Sequence, residues 1–367
     1  MLRTLAFGLA DADIDILLCA SDEGPFLPSG VTVISVAGIT AADRAPALIQ
    51  ATRRFAPDVI MIMDTEGAAC ELLERLGNAA PGIPLYAYVP LEGRAERPGR
   101  LLAASRFGEI VLYTQTARRF TADATNEPFD GRFRHAIGHG VDTMAFHPLP
   151  AHQRHAQRVR LFGSQMACPS RLTEALLILN ANRNDLRKRL DQTVTAFARF
   201  ARAHENAYLV LHSAPVTPVA DLRRMAKAVG LAGRVFFTQS DSTAPMATDA
   251  DLNAIYNCCD VGLNTSRAEG WGLVPFEHAA TGAMQIMTDT DTARELWGDA
   301  VMRVGDSPAA CAPTFEDALA QAAHPAIRAG FADRAVALAR SPANGWDVIT
   351  GAWKTLLLQG LTRGTRV

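Results

Sequence analysis

The sequence predicts an α/β protein built from two doubly wound domains, each with a parallel sheet between layers of helices. Short apolar runs typical of buried strands alternate with helical stretches along the chain, which favours parallel sheets covered on both faces. A length of 367 residues is too great for one typical domain and fits two. Hydrophobic residues make up 49% and charged residues 20%, as in an ordinary globular protein.

The first half of the chain supplies one series of elements, expected to form a domain over residues 1–147. Helices are predicted over residues 2–10, 44–55, 67–76 and 117–124. Strands are predicted over residues 14–19, 31–36, 58–63, 84–88, 109–113 and 133–137. A loop over residues 89–98 carries Glu92 and several arginines.

The segment between the domains has no clear period. Residues 148–174 are expected to be a linker with a peripheral segment, because residues 148–169 are rich in Arg, His, Gln and Pro. The basic run from Gln153 to Arg160 has no interleaved aromatic residue, so a solvated face is favoured over a nucleic-acid patch.

The second half predicts another doubly wound domain, residues 175–344. Strands are expected over residues 175–181, 207–212, 234–238, 261–263 and 284–287. Helices are expected from about residue 186 and over 219–229 and 252–259. The first of these helices has a core face at helical spacing, formed by Leu190, Val194, Phe197 and Ala201. A last helix is expected within residues 345–367.

The most informative stretch covers residues 260–277. A short apolar strand leads into a loop with Glu269, Gly270 and Gly272. Pro275 lies where a helix can start, because its missing N–H costs nothing there. A second apolar run follows the helix, so the stretch predicts one βαβ unit of a parallel sheet.

The chemistry of this stretch points to a phosphate flanked by hydroxyls. The two glycines let the backbone approach a ligand, and the free N–H groups of the helix start can bind an anion, with about 0.3–1 kcal/mol from the helix dipole. Glu269 and Glu277 would repel a bare phosphate but can accept hydrogen bonds from hydroxyls on either side of it. A nucleotide sugar offers that pattern, and the alternative is a capped helix after a surface loop.

Two cations follow the first strand of the second domain. Arg183 offers a planar fork and Lys188 a point charge, a combination that suits two phosphates. The alternative is a solvated basic helix start, since Arg187 and Arg189 adjoin Lys188.

With these residues in view, the segment Glu269-Gly-Trp-Gly-Leu-Val-Pro-Phe-Glu277 resembles the Glu-x7-Glu motif of retaining GT-B glycosyltransferases, above all their large family 4. The flanking residues 260–266 and 278–282 are similar to that family, as is the Arg, four residues and Lys of 183–188. The resemblance implies a GT-B fold of two Rossmann-like domains with a cleft between them. It also implies that the last helix, residues 345–367, crosses back to the first domain, a packing role that Trp346 and Trp353 suit. It also implies metal-independent transfer, with retained configuration, of a sugar from a nucleoside diphosphate to an acceptor hydroxyl.

The resemblance assigns roles to the matching residues. It implies that Glu269, Arg183 and Lys188 are catalytic, with the two cations on the diphosphate and Glu269 on the donor sugar. It places Glu277 on the ribose hydroxyls. The implied donor-binding residues are Arg183, Lys188, Glu269, Gly270, Trp271, Gly272, Leu273 and Glu277. No cofactor and no metal are expected, and the sequence has no His/Cys ligand cluster.

The sequence also departs from the family. Asn182 stands where a Gly usually precedes the Arg, and Arg189 stands where a Gly often follows the Lys. Relatives begin with a strand and a Gly-rich loop, whereas this chain is predicted to begin inside the helix that follows them. A His that many relatives carry at the end of a first-domain strand is absent from residues 86–90.

Three further residues are candidates for the cleft: His139, His212 and Glu92. A structural role in a turn is the alternative for His139, and a solvated loop glutamate is the alternative for Glu92. Tyr256 and Trp297 are expected in the core rather than stacked on a base.

Composition limits the partners. A net charge of −2 gives no broad attraction to nucleic acid or acidic membranes. The six cysteines form no Cys-x-x-Cys, which predicts reduced thiols, mostly buried, in a cytoplasmic protein. No apolar run approaches the ~18 residues of a membrane span, and Asp11, Asp13 and Asp15 argue against a signal peptide. The expected partners are a nucleotide sugar and a carbohydrate or lipid-linked acceptor, with peripheral membrane association left open.

Two other classes of function remain open at this stage. One is a nucleotide-sugar epimerase or a sugar phosphorylase on the same fold. The other is a non-catalytic protein that binds nucleotide sugars.

Overall fold

The computed structural model describes residues 2–10, 15–20, 31–35, 41–166, 168–240, 247–305 and 314–364. Asp11, Asp13 and Cys311, which entered the sequence analysis, lie outside these ranges. The chain divides into two compact units: Met1–Gly140 with Pro342–Val367, and Val141–Ser341.

The elements before Gly140 alternate between helix and strand. In chain order they are α1 (Leu2–Ala10), β1 (Ile16–Ala20), β2 (Val31–Ser35), α2 (Ala41–Phe55), β3 (Ile60–Met63), α3 (Glu66–Ala79), β4 (Leu85–Val89), α4 (Pro98–Ala104), β5 (Glu109–Leu112), α5 (Gln115–Thr125) and β6 (His135–Ala136). Strands β1 and β2 pair in parallel, and β3-β4-β5-β6 form a parallel sheet in that order. The predicted strands all appear, with ends that differ by one to a few residues.

The elements after Gly140 form a larger series. They are α6 (Ala151–Phe162), β7 (Leu176–Asn180), α7 (Leu190–Phe200), β8 (Ala207–Leu211), α8 (Leu222–Ala228), β9 (Val235–Phe237), α9 (Asp249–Cys258), β10 (Val261–Asn264), α10 (Leu273–Ala280), β11 (Met284–Thr288), α11 (Asp291–Trp297), β12 (Met302–Val304), α12 (Phe315–Ala323), α13 (Pro325–Ala339) and α14 (Trp346–Gly364). The strands form one parallel sheet in the order β12-β11-β10-β7-β8-β9. The predicted fold class, α/β with two Rossmann-like domains, is confirmed.

The strand order of the larger sheet marks a place for a ligand. The chain runs outward from β7 to β9 and then restarts beside β7 with β10, running outward the other way. In open α/β sheets, ligands bind outside the carboxyl ends of the strands at such a reversal. The loops after β7 and β10 therefore define the edge where a site is expected.

Apolar side chains of α7 cover one face of this sheet. The predicted core residues of that helix are all buried: Leu190, Val194, Phe197 and Ala201. They join strand residues such as Ile178 and Leu209 in one cluster. Helix α7 begins at Leu190 rather than near Leu186, because Arg189 adopts a left-handed conformation with φ 53°. The prediction of a helix from about residue 186 was wrong, and residues 181–189 form a loop instead.

The last helix belongs to the same unit as the first 140 residues. Trp353 is fully buried and meets the ring of Tyr88 edge-on, with centroids 4.9 Å apart. Trp346 lies edge-on to His139 at 4.7 Å. These aromatic contacts fix α14 within that unit.

The segment expected to be a linker with a peripheral segment contains a helix. Helix α6 covers Ala151–Phe162, and its inward side carries Arg158 together with Phe162, both buried. A charged residue on the buried side removes the apolar period by which a helix is recognised in sequence.

Arg158 also corrects the expectation that the basic run is simply a solvated face. Its guanidinium donates to both carboxylate oxygens of Asp260 at 2.8 Å and to the carbonyl oxygen of Cys258 at 2.8 Å. It donates further to the carbonyls of Leu172 and Ala175 at 3.1 and 3.0 Å. The hydrogen bonds tie α6 to the amino ends of β7 and β10.

We expect Arg158→Leu to lower the free energy of unfolding by about 3 kcal/mol, because it leaves the partly buried carboxylate of Asp260 without its main partner. The matched control is Arg160→Leu on the exposed side of the same helix, with an expected change below about 0.5 kcal/mol. Urea unfolding at pH 7 measures both. Equal losses in the two variants would contradict the buried role of Arg158.

Candidate functional site

The loops after β7 and β10 are joined by backbone hydrogen bonds. The N–H of Arg267 donates to the carbonyl of Arg187 at 3.0 Å. The hydroxyl of Thr265 donates to the carbonyls of Lys188 and Arg189 at 3.0 and 2.9 Å. These bonds hold the two loops side by side at the point where the strand order reverses.

A carboxylate and two cations meet between these loops. The ammonium of Lys188 donates to the two carboxylate oxygens of Glu269 at 2.6 and 2.9 Å. The guanidinium of Arg187 donates to Oε2 of Glu269 at 3.1 Å, and the amide of Asn264 donates to Oε1 at 3.3 Å. Glu269 and Lys188 are only 7% and 9% exposed. The arrangement is a buried ion pair with a second cation at its side.

The two cations keep Glu269 ionised. Burial by itself would raise the pKa of this carboxyl, but Lys188 and then Arg187 outweigh it and hold the pKa below its usual range. Burying such a pair costs desolvation free energy that its attraction offsets only in part. A buried pair of this kind at a ligand-binding edge is therefore a candidate for function rather than for stability.

Asparagine side chains line the sheet edge beneath this pair. The Asn182 amide donates to Oδ1 of Asn180 at 2.9 Å and lies 3.4 Å from Oδ1 of Asn264. All three side chains are buried, and they border a small pocket that also meets Val274 and Pro275. Asn182, which departs from the family pattern, thus serves this amide network.

The loop that carries Glu269 turns into α10 through a glycine. Gly272 has a φ of 92°, a left-handed conformation that favours glycine. Pro275 is the third residue of α10, close to the helix start that the sequence predicts. The first N–H groups of a helix have no partner inside it, so those of Leu273 and Val274 are available to an anion.

The conformation of this loop is fixed from behind. Trp271 stacks on Phe276 with centroids 5.4 Å apart, and Phe276 lies 4.2 Å from the ring of Trp297. The hydroxyl of Thr292 donates to the carbonyl of Glu269 at 2.8 Å. Trp297 is buried in the core as expected.

Glu277, on α10, has a partner of its own. The hydroxyl of Tyr256 on α9 donates to Oε2 of Glu277 at 3.0 Å. Burial raises the pKa of Glu277 to about 7, the Tyr256 hydrogen bond opposes the rise, and Asp249 adds to it. Tyr256 is buried, as the sequence predicts, but it also contacts a predicted site residue.

Arg183 is not part of the cluster around Glu269. Its side chain is 80% exposed and pairs with Asp185 at 3.6 Å. The sequence pattern paired Lys188 with Arg183, whereas the structure places Arg187 beside Lys188 on Glu269. The signal for Arg187 was the basic run itself, which reads equally well as a solvated surface. The role of Arg183 on a diphosphate stays a prediction.

The remaining candidates have local partners. His139 is buried, its Nδ1 lies 2.7 Å from the carbonyl oxygen of Gly140, and burial lowers its pKa to about 4. His212 follows β8 and lies 2.7 Å from the hydroxyl of Thr238, and burial lowers its pKa. Glu92 is exposed on the loop after β4. The contacts of His139 are those of a structural turn residue.

The described ranges hold no group of three His, Cys, Asp or Glu side chains placed to bind a metal ion. No helix within them is long and apolar enough to cross a membrane. Among the described cysteines, Cys70, Cys258 and Cys259 are buried, Cys19 is partly buried and Cys168 is exposed.

Comparison with known proteins agrees with the fold. Residues 175–327 match the family model described as glycosyl transferases group 1. Comparison with curated protein sequences gave no match.

Solved structures resemble the chain over nearly its whole length. Sucrose-phosphate synthase from Thermosynechococcus elongatus has a TM-score of 0.74 at 16% identity, covering 98% of this chain and 92% of that one. Anabaena HepE in complex with UDP and glucose has a TM-score of 0.71 at 16% identity, covering 97% and 95%. The E. coli trehalose-6-phosphate structure bound with UDP-2-fluoro glucose has a TM-score of 0.72 at 12% identity, covering 98% and 96%.

The parallel sheets of the two units and these neighbours define the fold of GT-B glycosyltransferases. The family match over residues 175–327 covers the loops that carry Lys188 and Glu269. The chain is accordingly a glycosyltransferase.

We expect the stability of the ligand-free protein to depend on pH through Glu277. The pKa of Glu277 in the folded protein is about 7, above the ordinary 4.5. Its contribution to the free energy of unfolding is therefore complete below pH 4.5 and is lost as pH rises through 7. Glu277→Gln should abolish up to roughly 3 kcal/mol of that dependence, whereas Glu174→Gln, at an exposed position of the same unit, should not. Urea unfolding of the wild type and both variants from pH 4.5 to 8 measures this pH dependence. Parallel curves for wild type and Glu277→Gln would contradict the raised pKa.

Proposed function

We propose that this chain transfers a sugar from a nucleoside-diphosphate sugar to an acceptor hydroxyl, with retention of configuration and without a metal ion. The observation that carries the proposal is the buried Lys188–Glu269 pair at the reversal of strand order, beside the start of α10. The cation suits the diphosphate of such a donor, and the carboxylate suits its sugar. The helix start suits the oxygen that connects them.

The cations and the helix start would act on the leaving diphosphate. Negative charge grows on its oxygens as the glycosidic bond breaks. Lys188, Arg183 and the N–H groups of residues 270–273 would stabilise that charge, and removal of one such preorganised donor costs about 2.7–4 kcal/mol in other enzymes. Fixed cations supply the charge that a divalent metal supplies elsewhere, and no cofactor enters the proposal.

The carboxylates would bind the two hydroxyl-bearing parts of the donor. Glu269, held ionised between its cations, is suited to accept hydrogen bonds from the sugar. Glu277 is proposed to accept from the ribose, where its pKa of about 7 lets it either accept or donate near neutrality. The neighbours from Anabaena and E. coli were solved with UDP or UDP-sugar ligands, which makes UDP-glucose the first donor to test.

The acceptor is proposed to bind residues before Phe146, as a carbohydrate or a lipid-linked carbohydrate. A cytoplasmic location stays part of this proposal. The rival activities differ in what they need, since an epimerase needs no acceptor and a phosphorylase needs free phosphate. A protein that only binds nucleotide sugars would show binding without turnover.

A thermal-shift screen with UDP-, GDP- and ADP-glucose, followed by donor hydrolysis, tests the proposal. We expect one nucleotide class to raise the melting temperature of the wild type, with the rise lost in an Arg183→Ala/Lys188→Ala variant and kept in Arg199→Ala, an exposed arginine on α7. Glu269→Ala should lower turnover about 100-fold or more, because the sugar loses its charged partner. EDTA should leave turnover unchanged.

Several outcomes would contradict the proposal. The absence of a shift with all three nucleotide sugars would remove its basis. Loss of turnover with EDTA, restored by a divalent cation, would contradict metal independence. An inverted anomeric centre in the product, detected by NMR, would contradict retention.

A further inference from the structure

The carboxylate of Glu269 has no acceptor position left for a ligand in this structure. A carboxylate offers about four lone-pair directions. Lys188 uses two of them, at 2.6 and 2.9 Å, and Arg187 and Asn264 use one each, at 3.1 and 3.3 Å. A hydroxyl can therefore bind Glu269 only after one of these donors has moved away.

Lys188 is the donor with a reason to move. Under the proposed function it is drawn to the diphosphate, which carries more negative charge than one carboxylate. Its ammonium sits on a flexible stem and can turn from one anion to the other. Its departure frees two acceptor positions on Glu269 but also removes the main charge that keeps that carboxyl ionised.

Arg187 has a backbone anchor besides its contact with Glu269. Its guanidinium nitrogen Nη1 donates to the carbonyl of Ala268 at 2.7 Å as well as to Glu269. Its own carbonyl accepts from the N–H of Arg267 at 3.0 Å. The side chain is 21% exposed, and its planar head is anchored to the backbone of the loop that carries Glu269.

We infer that Arg187, which lies outside the Arg-x4-Lys pattern, is the positioning residue that holds the Glu269 carboxylate toward the donor sugar once Lys188 has turned to the diphosphate. The inference rests on the proposed function. It divides the basic run between two tasks: Lys188 binds the diphosphate, and Arg187 orients the carboxylate that binds the sugar. Asn264 supports the other oxygen of that carboxylate.

This division of tasks predicts that substitutions of Arg187 and Lys188 change the affinities for UDP and UDP-glucose differently. The two ligands differ only by the sugar. Dissociation constants for UDP and UDP-glucose are measured by calorimetry with the whole chain. Arg187→Gln should weaken UDP-glucose binding about tenfold and change UDP binding less than twofold, because only the sugar contacts Glu269. Lys188→Ala should weaken both ligands by a similar factor of ten or more.

Two further variants separate positioning from a general structural effect. Arg187→Lys keeps a cation within reach of Glu269 and should recover at least part of the UDP-glucose affinity. Arg199→Gln removes an exposed arginine from α7 and should leave both constants unchanged. A circular-dichroism melt of each variant shows whether it is folded.

The failure of this inference is distinct from the failure of the proposed function. If the wild type binds neither UDP-glucose nor its GDP and ADP counterparts, the proposed function and this inference both fall. If the wild type binds and Arg187→Gln keeps the wild-type ratio of the two constants, the inference alone is overturned. An equal loss for UDP and UDP-glucose in Arg187→Gln would instead make Arg187 a ligand of the diphosphate.

Discussion

The ion pair between Lys188 and Glu269 is the constraint around which the larger sheet's edge is arranged. Taking two charges out of water costs several kcal/mol per ion, and the attraction between them offsets that cost only with good geometry and further hydrogen bonds. The loops after β7 and β10 provide both, since they are joined by hydrogen bonds from the Thr265 hydroxyl and the Arg267 N–H. The pair is thus maintained by the fold rather than responsible for its stability.

The polar groups beneath the pair follow from the same position. Parallel strands end with open carbonyl groups and loops, so the edge must satisfy many hydrogen-bonding atoms without water. Asn180, Asn182 and Asn264 do so for one another and for Glu269. Apolar residues could fill the same space, but they would leave Glu269 with fewer donors. An amide network is therefore compatible with a carboxylate that exchanges partners when a ligand binds.

Sequence reasoning identified some of these residues and missed others for physical reasons. Lys188 was predicted to bind the diphosphate and Glu269 the sugar of one ligand, and the structure brings the two side chains into direct contact. Arg187 was overlooked because a run of basic residues does not reveal which side chain turns inward. Arg158 was misjudged because its partner, Asp260, lies 102 residues away. Pairings at such separations leave no local pattern.

By itself the sequence determined the alternation of strands and helices, the βαβ unit around residues 260–287, and Lys188 and Glu269 as candidates for a site. Those features depend on local period, on turn chemistry and on spacing within a few turns, all of which are carried by neighbouring residues. Only the tertiary structure decided the strand order, and with it which loops meet. It thereby decided that Arg187 and Lys188 share one buried carboxylate while Arg183 faces solvent, because burial and charge pairing are set by contacts between distant segments.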